Sequence, residues 1–297
     1  MSGVGTKEIK RRKNSIENTR QITSAMNLVS SSKLMKAREK AEKSKPYAYA
    51  LYDMMINTGA DVKTSCKEFV EKREVKKRCF IAVAGDRGLA GGYNVNIFKS
   101  VMELRDSDKD MVVPVGKKAC EYFTKKGFEI PYKIESTEHC VFEEMYDITQ
   151  NLIKLYEDKE IDEIYFIYTK FRSALIQTVR FKRLFPIELE MLKKDEKKSE
   201  ESSRKKEVKK VEPRRQYLPS AEALFKRLIS EYTASQVYNG IRESFASEQA
   251  SRRNAMQSAT ESADDMLNKL EAEYNRARQS SITREITEIA GGAEALK

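Results

Sequence analysis

The chain has 297 residues, of which 56 are lysine or arginine and 46 aspartate or glutamate, for a formal net charge of +10. Its longest apolar run, about Cys79 to Ala84, is far short of the roughly 20 residues a membrane-spanning helix needs, so an integral membrane protein is not expected. Met1 to Lys13 lack the apolar core of a secretory signal, so a secreted protein is not expected either, and the positive balance points to an acidic partner, either nucleic acid or a charged protein surface.

From Lys7 to Asn57 the only helix breaker is Pro46. Ile9, Ile16, Ile22, Met26 and Val29 recur at steps of 7, 6, 4 and 3, which predicts a helical stripe close to a coiled-coil seam. Pro46 has no amide donor and should kink or interrupt that helix.

From Lys77 to Leu192 strands and helices alternate. Cys79–Ala84 predicts a buried strand, Gly85–Gly92 a glycine-rich turn and Tyr93–Leu104 a helix. Met111–Val115 follows as a strand and Lys117–Lys126 as a helix ended by Gly127. Phe142–Tyr156 should be helical, and Ile161–Tyr168 and Ala174–Leu184 should be strands. Such alternation implies a βαβ-type sheet.

Between Lys193 and Arg215 lie 11 basic and 6 acidic residues and only two valines. This tract cannot bury enough apolar surface to offset its ordering entropy, and its mixed signs favour a solvated, disordered insertion over a nucleic-acid arm.

From Ser220 to Ile289 there is one glycine, Gly240, and no proline, with Ser220 placed as an N-cap. A helix of that length reaches on the order of 100 Å and has to pack against another long element. The first segment is the available partner. The expected fold is therefore α/β plus long helices, an antiparallel coiled coil of the two chain ends with a βαβ, Rossmann-like domain inserted. The expected divisions are 1–58, 75–192, 193–215 and 216–297. Small residues take over between Ala246 and Ala263, which fits either a smooth face that moves against its neighbours or a narrow seam of close contacts.

No self-contained active site is visible. The cysteines (Cys66, Cys79, Cys120 and Cys140) form no C-x-x-C, and His139 is the only histidine, so no zinc constellation exists and reduced cytosolic thiols are expected. Gly85-Asp-Arg-Gly88-Leu-Ala-Gly91-Gly92 stands where phosphate loops stand but matches neither G-x-G-x-x-G nor the P-loop and lacks its lysine. A tight turn that exposes Asp86 and Arg87 to a partner is the stronger reading. The pairs Glu143/Glu144 and Asp264/Asp265 read as solvated helix faces. A basic nucleic-acid-binding coiled coil, with 10 basic and 3 acidic groups in residues 1–40, remains the competing class.

Three segments resemble one family. Ile16 to Lys33 resembles the N-terminal helix of the gamma subunit of F-type ATP synthases. Tyr274 to Ala293 is similar to its C-terminal signature, and Asp86 to Asn94 to its central glycine turn. Ser247–Ala250 and Met256 also match, so the resemblance runs the length of the chain in the right order. Ser24, Ala90, Arg253 and Asn254 depart from the family's usual residues.

The resemblance implies a rotor shaft with no catalytic residue, cofactor or metal of its own, present in one copy. Its coiled coil would turn inside the ring of three alpha and three beta subunits. Its α/β domain would meet the epsilon subunit and the c-ring, and no nucleic acid would be involved. It implies contacts to alpha and beta through Met26, Arg87, Arg252, Gln279, Thr283 and Glu285, and to epsilon and the c-ring through Tyr217 and Leu218. Without a transit peptide or the paired cysteines of chloroplast members, a bacterial protein at the cytoplasmic face of the plasma membrane is expected, attached peripherally.

Overall fold

The computed structural model describes residues 2–62, 66–187, 217–218 and 220–295; the polar tract 193–215 lies outside these. The elements are α1 (Ser2–Val62), a short 3-10 turn (Lys67–Phe69), β1 (Arg78–Val83), α2 (Tyr93–Leu104), β2 (Met111–Val115), α3 (Lys117–Lys125), α4 (Phe142–Glu157), β3 (Glu163–Phe171), β4 (Gln177–Phe185) and α5 (Ala221–Ala295). They form two compact units, Lys33–Ser251 and Met1–Ser32 with Arg252–Lys297. Among the described residues no helix is long and apolar enough to cross a membrane.

The larger unit is built on a four-stranded sheet in the order β2-β1-β3-β4, with β1 parallel to both neighbours and β4 antiparallel to β3. β1 and β2 are apolar along nearly their whole length because both sheet faces are covered. On one face Ile97, Val101, Ala119 and Phe123 of α2 and α3 pack on Phe80, Ala82 and Val112. On the other, α4 and parts of α1 and α5 pack on Ile81, Val83 and Phe166. The outer edge of β2 is covered by residues 129–134, through Val112 N–H to Glu129 O at 2.9 Å and Ile134 N–H to Pro114 O at 3.0 Å.

Local chemistry sets the helix ends. Gly127 adopts φ +75° just beyond α3, a left-handed stop that other residues resist. Ser220 caps α5, its Oγ accepting the Ala223 N–H at 3.2 Å. Gly240 lets α5 lie directly on the sheet, for a Cβ there would stand 2.2 Å from the Phe166 ring. Two serines beyond it then bond the end of β3. Ser244 Oγ accepts the Thr169 N–H at 3.1 Å, and Ser247 Oγ donates to Thr169 O at 3.1 Å.

Within the smaller unit the two chain ends pair antiparallel. Lys13 pairs with Glu271, Arg20 with Asp264 at 3.4 Å, and Thr23 with Thr260 at 2.8 Å. Inward positions on α1 (Ile9, Lys13, Ile16, Arg20, Thr23, Asn27 and Ser30) alternate steps of four and three, the period of a coiled coil. On α5 the same rhythm runs through Met256, Thr260, Ala263, Leu267, Leu270, Tyr274, Ala277 and Ser281.

Two expectations are corrected, and one choice left open is narrowed. Of the stripe expected on α1, Ile9, Ile16 and Met26 are half-buried, but Ile22 and Val29 face outward. The seam there uses Thr23 and Ser30 instead, because small and hydroxyl-bearing residues let the backbones approach while larger ones stay outside. Pro46 does not interrupt α1. It removes one amide, and packing on both sides holds the helix, at Leu34 and Ala37 before it and at Leu51 and Met55 after it. Of the small-residue stretch on α5, Ala246, Ser247 and Ala250 are buried rather than displayed, so there the close-contact reading holds.

A seam with so few large apolar groups buries little area per turn, and an open groove of about 330 Å³ between Ile16, Met266 and Leu270 reduces it further. In the isolated chain, hydrogen–deuterium exchange should therefore be fast for residues 2–32 and 252–295 and slow for β1 and β3. Equal protection in both units would contradict this account.

All four cysteines are free. Burial pushes the Cys79 and Cys140 thiols up to about 12. The unfolded thiol titrates near ~8.5, so the stabilisation from keeping these groups neutral is complete below that pH and is lost as pH rises toward 12. Stability should accordingly fall between about pH 8.5 and 12, and Cys79→Ser with Cys140→Ser should flatten that decline. Chemical unfolding at stepped pH measures both.

Candidate interaction site at the carboxyl end of the sheet

The chain runs from β1 to β2 on one side and later to β3 on the other, so the carboxyl end of β1 is the switch point where such sheets usually hold ligands. Here α5 occupies that crevice. Tyr93 O–H donates to Ser244 O at 3.0 Å, and Ser251 Oγ donates to Ala90 O at 2.7 Å. The buried Glu248 carboxyl reaches Gly85 so closely that a Cβ at Gly85 would be 2.7 Å from it. At its first glycine the turn is therefore packed against a carboxylate and a helix.

The turn itself is tied down. Gly85 N–H donates to Asn94 Oδ1 at 2.8 Å. The Asp86 carboxylate accepts the Thr137 N–H at 2.9 Å and the Ser136 hydroxyl at 3.1 Å, joining the turn to the segment before α4. Gly116, with φ +94°, passes where a Cβ would lie 2.2 Å from Ala84 O. Leu89 takes φ +59°, a strained value for a branched side chain. The result holds Arg87 and Leu89 outward, both exposed.

Next to it, Lys33 of α1 grips Glu138 with bonds of 2.8 and 2.6 Å. Burial raises the Glu138 carboxyl, but the Lys33 bond and charge outweigh it, with His139 and Arg87 assisting, and hold it below the usual carboxylate range. The pair is over a third exposed, so it orients the surface more than it stabilises the fold. Its contribution is present at neutral pH and lost as pH falls below about 4.

The residues named from the sequence do not gather into one pocket. Arg87 sits on the glycine turn. Met26, half-buried, and Arg252, 5% exposed, belong to the smaller unit. So do Gln279, Thr283 and Glu285, all exposed on a part of α5 where no described side chain beyond Ser281 is buried. Gln279 and Thr283 are about one turn apart on one face, and Glu285 is about 200° around from Thr283. Tyr217 is half-buried and Leu218 is 91% exposed, just before α5. α5 runs in the same direction as β3, with Gly240 on Phe166 and Ser244 on Thr169, which puts Tyr217 and Leu218 at the opposite end of the larger unit from Arg87. Asp86, expected to be exposed to a partner, is instead turned back onto Ser136 and Thr137, and its role there, the Lys33–Glu138 pair and the docking of Ser244 and Ser247 on β3 were not read from the sequence. Each acts on a partner at least 50 residues away, and no local pattern marks such pairs.

The ATP synthase family model matches residues 5–296. The chain is 38% identical over 297 residues to the ATP synthase gamma chain of Alkaliphilus metalliredigens, covering 99% of this chain and all of that one. It is 39% identical over 295 residues to the sodium ion specific ATP synthase gamma chain of Acetobacterium woodii, covering 97% and 98%. Among solved structures, the rotor of the Euglena gracilis mitochondrial ATP synthase is similar with a TM-score of 0.62 at 17% identity, over 94% of this chain and 99% of that one. The central stalk and c-ring of the Tetrahymena thermophila enzyme gives 0.60 at 24% identity, over 80% and 99%. At these identities the structural likeness speaks for the fold.

Proposed function

Because this chain belongs to the ATP synthase gamma-chain family, we propose that it is the rotor shaft of such an enzyme, with no ATPase activity of its own. The match along the whole length, at both terminal helices and the glycine turn, carries this reading. The filled crevice at the switch point agrees with a part that transmits force and performs no chemistry.

In this reading the smaller unit turns inside the ring of alpha and beta subunits. Each shaft angle favours one set of site conformations through differential contacts, so turning and ATP chemistry share one free-energy cycle. A seam of small residues keeps the helix pair narrow. Arg87, Gln279, Thr283 and Glu285 make steering contacts to the ring, whereas Arg252, only 5% exposed, is too buried in the shaft for that role. Charge-assisted contacts of this kind are worth about 1.5–3 kcal/mol where water is excluded and far less where it is not. Tyr217 and Leu218, at the other end of the larger unit, face the epsilon subunit and the c-ring. The complex is peripheral to the cytoplasmic face of a bacterial plasma membrane, with one copy of this chain in each.

The test is ATPase activity of the purified chain, of alpha with beta, and of all three mixed, followed by size-exclusion chromatography. The expected result is silence alone and a large active complex on mixing. Activity of the chain alone, or failure to co-elute with folded alpha and beta, would overturn the reading. In the same complex, exchange at residues 2–32 and 252–295 should slow relative to the free chain.

A further inference from the structure

We infer that the β3–β4 hairpin is a second docking arm beside Arg87, shaped for an acidic partner surface with an apolar notch. This rests on the reading that the carboxyl end of the sheet faces the subunit ring. β1 and β3 are parallel, so the end of β3 and the tip that follows lie at the same end of the sheet as the glycine turn.

The hairpin is unusual in charge. From Glu163 to Phe185 there are five basic residues and one acidic one, Glu163 at the base, in a chain a third of whose residues are charged. Lys182 and Arg183 are engaged at the base, with Gln236 and Glu163. Lys170 and Arg172 are exposed beside the tip, and Arg180 is exposed further along β4. At the tip itself Leu175 is 82% exposed and Ile176 56%.

That exposure is imposed by a fastened turn. Ser173 Oγ accepts the N–H groups of Leu175 at 3.3 Å and Ile176 at 3.0 Å. Gln177 Nε2 donates to Ala174 O at 2.9 Å, and Ser173 N–H donates to Ile176 O at 3.1 Å. A preorganised tip loses little entropy when it docks. The strand end just below the tip is fixed as well. Phe171 packs against the cluster of Leu34, Ala37, Phe245 and Ala250, with Arg38 5.5 Å above its ring. A push on the tip therefore reaches α1 and α5 directly.

The charge selects the occupant. Two exposed aliphatic side chains at the tip, with three exposed cations along the same hairpin, fit carboxylates around an apolar hollow. A second copy of this chain, itself at +10, would bring like charges together.

The test uses the full chain in a Cys120→Ser background, since the other three cysteines are buried. Leu175→Cys and Arg87→Cys are each labelled with a benzophenone maleimide, assembled with alpha and beta, irradiated and mapped by mass spectrometry. Both labels should form adducts on a ring subunit, the Leu175→Cys adduct within a carboxylate-rich peptide. The triple change Lys170→Glu, Arg172→Glu and Arg180→Glu should cut the Leu175→Cys adduct about tenfold and weaken its dependence on salt, leaving the circular dichroism spectrum unchanged. A ring adduct from Arg87→Cys with none from Leu175→Cys would overturn the hairpin proposal and leave the shaft reading intact. So would hairpin-dependent sedimentation with phosphatidylglycerol vesicles and no ring adduct. Failure of the chain to co-elute with the ring would remove both proposals.

Discussion

Gly240→Leu should leave the larger unit unable to fold stably. A Cβ at this position would stand 2.2 Å from Cε1 and 2.5 Å from Cζ of Phe166, well inside contact distance. Phe166 is fully buried and stacked on Tyr168 at 4.7 Å, so its ring has nowhere to go without opening the core. Overpacking a well-filled core costs about 1–3 kcal/mol for modest insertions, and four added carbons under a central strand should exceed that range. Total stability is only about 5–15 kcal/mol, so most of the margin disappears. Gly240→Ala is the graded version. At an open helical site that change gains up to about 1 kcal/mol, and here it should lose about 1–3. Gly291 supplies the control, being on the same helix with nothing near an added Cβ, so Gly291→Ala should be neutral or mildly stabilising. Urea unfolding followed by circular dichroism separates these outcomes. Equal effects at the two glycines would show that α5 does not rest on the sheet as described.

Met26→Lys should reduce ion-coupled work much more than ATP hydrolysis. Met26 is half-buried and one turn from the seam residue Ser30, so its side chain lies at the margin of the helix pair. In the shaft reading that margin meets the ring. An ammonium there would form a charge-assisted bond at some angles and not at others, favouring those angles by about 1.5–3 kcal/mol, or roughly 10- to 100-fold in population. Hydrolysis drives the shaft past such a trap. Synthesis and ion pumping, which depend on matched energies at each angle, suffer more. Side-by-side assays of hydrolysis and ATP-driven ion transport in reconstituted vesicles give the comparison, with Met26→Leu as the neutral substitution. Equal loss of both activities would count against the placement of Met26 at the ring.

Most of the fold was legible because its signals are local. β1 and β2 announced themselves as short apolar runs between turn residues. Gly127 and Ser220 marked helix ends by their own chemistry, and the scarcity of breakers, Pro46 in one segment and Gly240 in the other, marked both long helices. The errors arose where tertiary packing overrode residue type. Ile22 and Val29 are larger and more apolar than Thr23 and Ser30, yet a seam that must be narrow takes the smaller pair. Ala174 to Ile176 read as strand because Leu175 and Ile176 look buried, whereas Ser173 and Gln177 hold them in an exposed turn. At the candidate site Arg87 was visible from its glycine turn. The elements that aim it were not, since Asp86 works through residues 136–138 and Glu248 through a glycine 163 positions earlier.

The central claim is that this chain turns relative to the ring around it. The most direct measurement fixes the ring of alpha and beta subunits to a surface and attaches a bead to the shaft through Asp108→Cys, in the Cys120→Ser background. The Asp108 side chain is fully exposed in the larger unit. With ATP supplied, the account predicts steady turning in one direction, arrested when ATP is removed. A complex that hydrolyses ATP while the bead stays still would contradict it.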